Sequence, residues 1–590
     1  MCGIFALLNH QKISYDLIKG EFDKGQRRGP EFSKLDLKYM KMVLGFHRLA
    51  INGLNEESNQ PLVINDVVLI CNGEIYNYKD LYKFMNVEPT TGSDCEVIIH
   101  LYIKYGIEQT LTMLDGVYAF ILYDNRLTED LNNKMYIARD PLGVRPLYYL
   151  KNKFSEHRLF NTYGFLYGFA SELKCLERFL NEDTHHYSIE QFIPGTYSIF
   201  NLSNKISSNW EPVKENIPHF ILNFSYNPGS ASWIVNNATK ETMYSAFSYS
   251  TAYLLKNAVN KRCLSTERPI ACLLSGGLDS SLIAALVADY YSINNVNTPL
   301  ETYSIGLKDS EDLKYARIAS DWIGSKHTEI IVSEKDMFDA IPEVILAIES
   351  YDTTTIRASI GNYLLGKYIA ANSEAKVIFN GDGSDELFGG YLYMGKCPDD
   401  IEFDKETRRL LKDIHLFDVL RSDKSISSHG LEPRTPFLDR SLVNHVLSIP
   451  AYFRNHKNFN AQEKNLLRFG FTHSEKHTFL YNISFKDSRN LQLLPDEILF
   501  RKKEAFSDGV SSQGRSLYQI LQEHIAFNLN MEENTDKYSP CIENEKLYYK
   551  KIFDLFYPNC AHILPYFWMP KYTISKDPSA RTLDLYFENV

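Results

Sequence analysis

The run Ile270-Ala271-Cys272-Leu273-Leu274 leads without a break into Ser275-Gly276-Gly277-Leu278-Asp279-Ser280-Ser281. The first five residues have the length and apolar character of a buried strand, and the residues after Ser281 read as a helix. Two adjacent glycines permit a tight turn whose N–H groups, with the serine hydroxyls and the helix N-terminus, form an anion cradle. The string lacks the Gly-Lys-Ser/Thr ending of a Walker loop, so its phosphate chemistry is of another kind. Upstream lies a candidate amphipathic helix, Ala246–Asn260, and downstream a second apolar strand, Thr302–Ile305. Strands alternating with helices of this length predict a parallel sheet with right-handed crossovers, hence an α/β domain.

Farther out, the texture changes. Up to about residue 175 the chain carries short β-type runs bounded by turns, among them Met42–Leu44, Val67–Cys71, Tyr118–Tyr123, Met135–Ala138 and Leu147–Leu150. Helical patterns there are fewer, at Asp16–Gly25 and Glu96–Tyr105, which predicts an α+β unit. From Gln191 to about Trp233 the pattern is irregular and carries Pro194, Pro212, Pro218 and Pro228. The expected division is therefore 2–190, a connecting segment 191–240, and 241–590, the last mainly helical beyond Phe403. A chain of 590 residues accommodates such a division easily. Its formal net charge of −11 disfavours a nucleic-acid partner held by phosphate neutralisation. No apolar run approaches the roughly 20 residues of a membrane helix, so no membrane partner is expected. Nine scattered cysteines without a CxxC pair read as reduced thiols of a cytoplasmic protein.

A second chemical site opens the chain. Cys2 follows the initiator Met and precedes Gly3. With Met1 removed, Cys2 supplies both a thiol and an α-amine, whose reference pKa of about 7.7–8.0 suits it as a base. Downstream come Arg27-Arg28-Gly29-Pro30, Phe46-His47-Arg48-Leu49-Ala50-Ile51, Asn72-Gly73-Glu74-Ile75-Tyr76-Asn77 and Gly92-Ser93-Asp94. Each suits an amide substrate that bears an α-amine and an α-carboxylate. Arg48 is fitted to clamp the carboxylate, and Glu74 and Asp94 to receive the ammonium. The Asn72 amide and the Gly73 N–H are fitted to hold an oxyanion. Singly, Arg48 would be a surface arginine and Asp94 a helix cap. In this order behind Cys2, and with Leu114–Phe120 and Arg139–Leu147, they resemble the N-terminal-nucleophile glutamine amidotransferase domain.

The seven-residue loop from Ser275 to Ser281 resembles the pyrophosphate loop of ATP pyrophosphatases, which adenylate a carboxylate. Ser350–Ala358, the acid-rich Val377–Phe388, Ser428–Asp439 and Arg501–Val510 agree with that likeness. Acids beside phosphates repel them unless a metal ion intervenes, so Asp279 and Asp385 are the candidates for Mg²⁺. The context Lys-Glu-Ala-Phe-Ser-Asp-Gly singles out Lys503 from its basic neighbours.

Together the two halves resemble the glutamine-hydrolysing asparagine synthetases over nearly the whole chain. The resemblance implies an αββα sandwich followed by a parallel-sheet ATP-pyrophosphatase domain. It implies synthesis of asparagine from aspartate through a β-aspartyl-adenylate, with ammonia from glutamine and release of AMP, pyrophosphate and glutamate. It also implies ATP as co-substrate and a homodimer. Carried over residue by residue, Cys2 is the nucleophile. Arg48, Leu49, Ala50, Ile51, Asn52, Asn72, Gly73, Glu74 and Asp94 bind glutamine. The ATP site is Leu273, Ser275, Gly276, Gly277, Asp279, Ser280, Ser281, Ile305, Asn380 and Gly381, with Lys503 near the adenylate and pyrophosphate. One departure stands out: the family's Gly-Glu-Gly-Ser-Asp-Glu has Asp382 here in place of its first Glu. The shortened reach predicts a functional but slower synthetase step, since misplacement of this kind costs roughly 10²-fold. A second departure is an insertion between Arg468 and Leu494, expected at the surface. The motifs leave open a related amide-forming synthetase for another carboxylate, and a ligand-binding paralogue without turnover.

Overall fold

In Gly3–Leu8 the residues Ile4, Ala6 and Leu8 turn to one side and Phe5 and Leu7 to the other, the period-two alternation of a strand buried on both faces. The structure is a computed structural model and describes residues 2–126, 133–153, 164–180, 186–202, 208–222, 239–472 and 492–588. The strands of the first half are β1 (Gly3–Leu8), β2 (Phe32–Asp36), β3 (Met42–Arg48), β4 (Leu62–Ile64), β5 (Val67–Ile75) and β6 (Gly116–Asp124). They continue with β7 (Lys134–Arg139), β8 (Tyr148–Asn152), β9 (Tyr167–Ala170), β10 (Tyr187–Gln191), β11 (Thr196–Leu202) and β12 (Trp210–Pro218). Two antiparallel sheets result, in the orders β10-β8-β9-β1-β3-β2 and β12-β11-β7-β6-β5-β4.

Ile4, Leu44 and Phe46 of the first sheet meet Ile70, Ile121 and Ile137 of the second to form the inner core. Helices Tyr78–Met85 and Val97–Met113 cover the outer face of the second sheet over Val67, Leu69 and Cys71. The first sheet's outer face, with Phe5, Leu7, Val43, Tyr148 and Leu150, packs on helix Tyr15–Asp23 and on helices of the second half such as Ile341–Ile348 and Ile542–Phe556. This is the expected αββα layering. The segment 191–240 differs from expectation: β11 and β12 lie within it and complete the second sheet, so the sandwich runs to Pro218. Pro212 and Pro218 obscured β12, but β12 is an edge strand, where a missing N–H is tolerated.

In the second half, β13 (Ile270–Leu273), β14 (Glu301–Leu307), β15 (Lys326–Val332), β16 (Val377–Phe379) and β17 (Glu432–Arg434) form a sheet in the order β15-β14-β13-β16-β17. Every pairing in it is parallel. The chain lays β14 and β15 on one side of β13 and β16 and β17 on the other, which makes a switch point beside β13. Such a reversal opens a crevice at the carboxyl ends of the strands, the usual seat of a ligand. Residues 473–490 of the expected insertion lie outside the described residues.

Candidate active sites

Cys2 stands immediately before β1, its Sγ 3.8 Å from the Leu49 carbonyl. Arg28 Nε donates to the Cys2 carbonyl at 3.0 Å. Burial pushes the Cys2 thiol up to about 11, so it is neutral near pH 7 and needs a base to act as a nucleophile. Asn72, Gly73 and Glu74 sit together on β5. A Cβ at Gly73 would come within 2.6 Å of the Val117 carbonyl oxygen, so only glycine lets β5 lie this close to β6. Asn72 Nδ2 lies 3.5 Å from Ser171 Oγ, which also accepts the Ile4 N–H at 3.1 Å. The amide is thereby tied to the strand that follows the thiol.

Glu74 Oε2 accepts from Asn52 Nδ2 at 2.9 Å, and Asp94 Oδ2 accepts the Ile75 N–H at 2.7 Å. Burial, then the neighbouring Asp94 charge, pushes Glu74 well above the usual carboxylate range. Burial raises Asp94 to about 6. A cation placed between these two acids would restore both to the ionised state. Arg48 is engaged by its own loop. Its Nη1 donates to the Asn55 carbonyl at 2.9 Å and Asn59 Oδ1 at 2.7 Å, and its Nη2 to the carbonyls of Asn52 and Gly53. It therefore organises the 52–59 loop. The side chains of Leu49 and Ile51 are buried in a core shared with the second half. The backbone around them docks there too: Arg268 Nε reaches the Ala50 carbonyl at 2.8 Å and the Glu267 N–H the Ile51 carbonyl at 3.0 Å.

At the switch point a cavity is lined by Leu273, Ser275, Gly277, Asp279, Ser280, Ile305, Asn380, Gly381, Asp382, Asp385 and Lys503. Ser275 Oγ and Ser280 Oγ are 3.0 Å apart and draw the loop round the start of helix Leu278–Ile293. Two expected ATP residues do not line it. Gly276, at φ +71°, is wedged against the backbone of Tyr315 and Ala316 and serves the turn. Ser281 is fully buried on the core side of the helix.

The acids at this end of the sheet are bridged by cations. Lys464 Nζ lies 2.5 Å from Asp279 Oδ2 and 2.6 Å from Asp385 Oδ1, while Lys503 Nζ lies 2.6 Å from Asp385 Oδ2. Burial opposes ionisation of Asp385, but the two ammonium groups hold it below the usual range. Lys464 escaped sequence reasoning, because it comes from a distant turn, in a left-handed conformation at φ +57°. Two carboxylates converging on one cation are a fitting hard-oxygen pair for Mg²⁺. Among the described residues no cluster of three metal-ligating side chains exists, so the remaining ligands would be phosphate oxygens and water. Asp382 Oδ1 is 3.0 Å from Arg421 Nη2, and Arg421 also holds Asp418 at 2.5 Å.

Buried charges tie the glutamine-side residues to the second half. Arg28 pairs with Glu172 at 2.7 Å and Asp423 at 2.8 Å, and Arg145 stands 3.3 Å from Asp423 and 3.8 Å from Glu432. Arg434 follows, 2.9 Å from Glu432 and 3.2 Å from Glu74.

Comparison with known proteins agrees with this geometry. The glutamine amidotransferase domain family matches residues 1–215, and the asparagine synthase family matches 250–399 and 396–475. The asparagine synthetase [glutamine-hydrolyzing] of Gallus gallus is 40% identical over 603 residues, covering 99% of each chain. Those of Cricetulus griseus and Homo sapiens are each 39% identical, again over 99% of both chains.

Proposed function

This chain belongs to the glutamine-hydrolysing asparagine synthetases, and from that membership we propose that it converts aspartate, glutamine and ATP to asparagine, glutamate, AMP and pyrophosphate. The observation that carries the reading is the pairing, in one chain, of a thiol immediately before β1 with an acid-and-lysine cluster at the switch point of a parallel sheet.

In the first half Cys2 Sγ attacks the glutamine carboxamide, and its proton passes to the α-amine that removal of Met1 exposes. The Asn72 amide and Gly73 N–H stabilise the oxyanion, while Glu74 and Asp94 hold the substrate ammonium. Collapse to the thioester releases ammonia, and water then frees glutamate from Cys2. In the second half the aspartate β-carboxylate attacks the α-phosphorus of ATP and pyrophosphate leaves. The serine loop, Lys503 and Lys464 draw the pyrophosphate charge away. Mg²⁺ held by Asp279 and Asp385 would supply further neutralisation of that charge. Ammonia attacks the acyl carbon, and AMP departs. Asp382, fixed by Arg421, takes the place of the family's longer glutamate beside the reacting centre.

Leu49, Ile51, Val117, Leu142 and Val144 of the first half share one apolar cluster with Leu274 and Leu278. An apolar junction of this sort keeps ammonia unprotonated, and only that form is a nucleophile. We assign the glutaminase unit to residues 2–218 and the synthetase unit to the chain from 240 onward. The family resemblance supports a homodimer, and nine free cysteines fit a reducing cytoplasm. No helix among the described residues is long and apolar enough to cross a membrane. Product analysis tests the reading: AMP with glutamine or with ammonia is expected, and Cys2→Ala should retain only the ammonia-dependent reaction. ADP as product would overturn it.

A further inference from the structure

The segment from Phe567 to Leu583 lies far along the chain from every motif of the synthetase site, yet it supplies partners to two of them. The Trp568 N–H donates to Asp352 Oδ1 at 2.8 Å, while Asp352 Oδ2 caps helix Thr353–Asn372 through the Thr355 N–H at 2.8 Å. Arg357, one turn into that helix, gives Nη1 and Nη2 to Asp577 at 2.7 and 2.8 Å and Nε and Nη2 to Glu545 at 2.8 and 2.5 Å. Four of its five N–H bonds are thereby spent inside the protein, so Arg357 is a strut and not a free anion ligand. Ser579 Oγ and the Ala580 N–H donate to Asp508 at 2.7 and 3.2 Å, within the Lys503–Gly509 motif.

The Trp568 ring lines the same cavity as Asp279 and Lys503. It packs on Tyr391, with centroids 5.2 Å apart. The Tyr391 hydroxyl bonds Glu386, and Asp418 at 3.0 Å. Asp418 holds Arg421, which holds Asp382. A ring displaced at Trp568 would pass its displacement down this relay to the acid beside the reacting carboxylate. The nucleotide loop at Ser275–Ser280 takes no partner from the segment.

We propose that the Trp568–Arg581 segment is a clasp that completes the aspartate-activating side of the synthetase cavity. Trp568 is the positioning residue for the Tyr391–Asp418–Arg421–Asp382 relay, and Asp577 is the residue that sets Arg357. The proposal rests on the synthetase reading above. Through Trp568 and Asp577 the clasp governs the amino-acid half of the cavity, while its Ser579 and Ala580 contacts to Asp508 brace the Lys503 side and are left in place by the variants below.

The test is ATP–pyrophosphate exchange, driven by aspartate, in the full chain carrying Trp568→Leu, Trp568→Phe or Asp577→Asn. Trp568→Leu should raise the aspartate KM about tenfold, the scale of one lost aromatic pair. The ATP KM and the ATP-independent release of glutamate should stay within about twofold, and Trp568→Phe should restore most of the aspartate KM. Asp577→Asn, close in shape, should move the aspartate KM the same way. Exchange in the unaltered protein with an unmoved aspartate KM in both Trp568→Leu and Asp577→Asn would overturn the clasp. So would equal losses for aspartate and ATP accompanied by a fall in thermal midpoint, the mark of plain scaffolding. Absence of exchange in the unaltered protein would instead overturn the synthetase reading, and the clasp with it.

Discussion

Arg434 Nη2 lies 3.2 Å from Glu74 Oε2 across the seam between the two halves, both side chains buried. The arginine belongs to the strand β17 of the parallel sheet and the glutamate to the strand β5 of the sandwich. Arg434→Met leaves Glu74 and Glu432 without their shared cation. Breaking a buried pair from one side costs about 3–5 kcal/mol. The expected result is a large loss of stability in urea unfolding, with weakened glutamine hydrolysis. Adding Glu74→Gln should recover part of the stability and none of the hydrolysis.

Asp94 provides a pH signature. Burial raises its carboxyl to about 6, so the form that receives an ammonium exists above that pH. The kcat/KM for glutamine should fall about tenfold per unit as pH drops below about 6. Asp94→Asn should lower the plateau and flatten this limb. Its effect on folding has the opposite sense. The folded pKa exceeds the unfolded value near 3.9, so the stability this group contributes is present below about 3.9 and lost as pH rises through about 6. An unbroken limb in Asp94→Asn would assign the titration to another group.

Asp382→Glu restores the missing methylene. Because Asp382 is anchored to Arg421 at 3.0 Å, the longer side chain must either push Arg421 back or advance toward substrate. An acceleration of aspartate-dependent AMP release of up to about 10²-fold is expected, with glutamine hydrolysis unchanged. No change in AMP release would show that reach at this position is immaterial.

Lys464→Met separates the carboxylates of Asp279 and Asp385 from the cation that now joins them. In EDTA the variant should melt below the unaltered protein, because two half-buried acids then have only Lys503 to offset their charge. Millimolar Mg²⁺ should raise its melting temperature more than it raises that of the parent. Equal increments would mean that these two acids do not hold the ion.

How much of this was readable beforehand follows from where each residue's partners lie. The Ser275–Ser280 loop and the Asn72-Gly73-Glu74 run were legible because strand, turn and functional groups are adjacent in the chain. Lys464 was not, since its two partners are 185 and 79 positions away and nothing local marks it. Arg421 and Trp568 are similar, defined only by what the fold brings beside them. The loop partners of Arg48 were hidden for a related reason: the 52–59 carbonyls that it binds become convergent only once the loop has closed. Ser281 belonged to the right motif, but the 3.6-residue helical period rotates it into the core. The β12 strand was hidden by prolines that its edge position tolerates.

The outer face of the first sheet, with Phe5, Leu7 and Val43, is roofed by helices that belong to the synthetase half. Severed from that roof, the amidotransferase fragment would keep only helix Tyr15–Asp23 over an oily plane that otherwise meets water, the kind of surface that drives association between copies. Each half therefore leans on the other for the burial of its apolar surface. A builder wishing to graft this ammonia donor onto a foreign acceptor would have to carry the roof along, or repaint the plane with polar residues first.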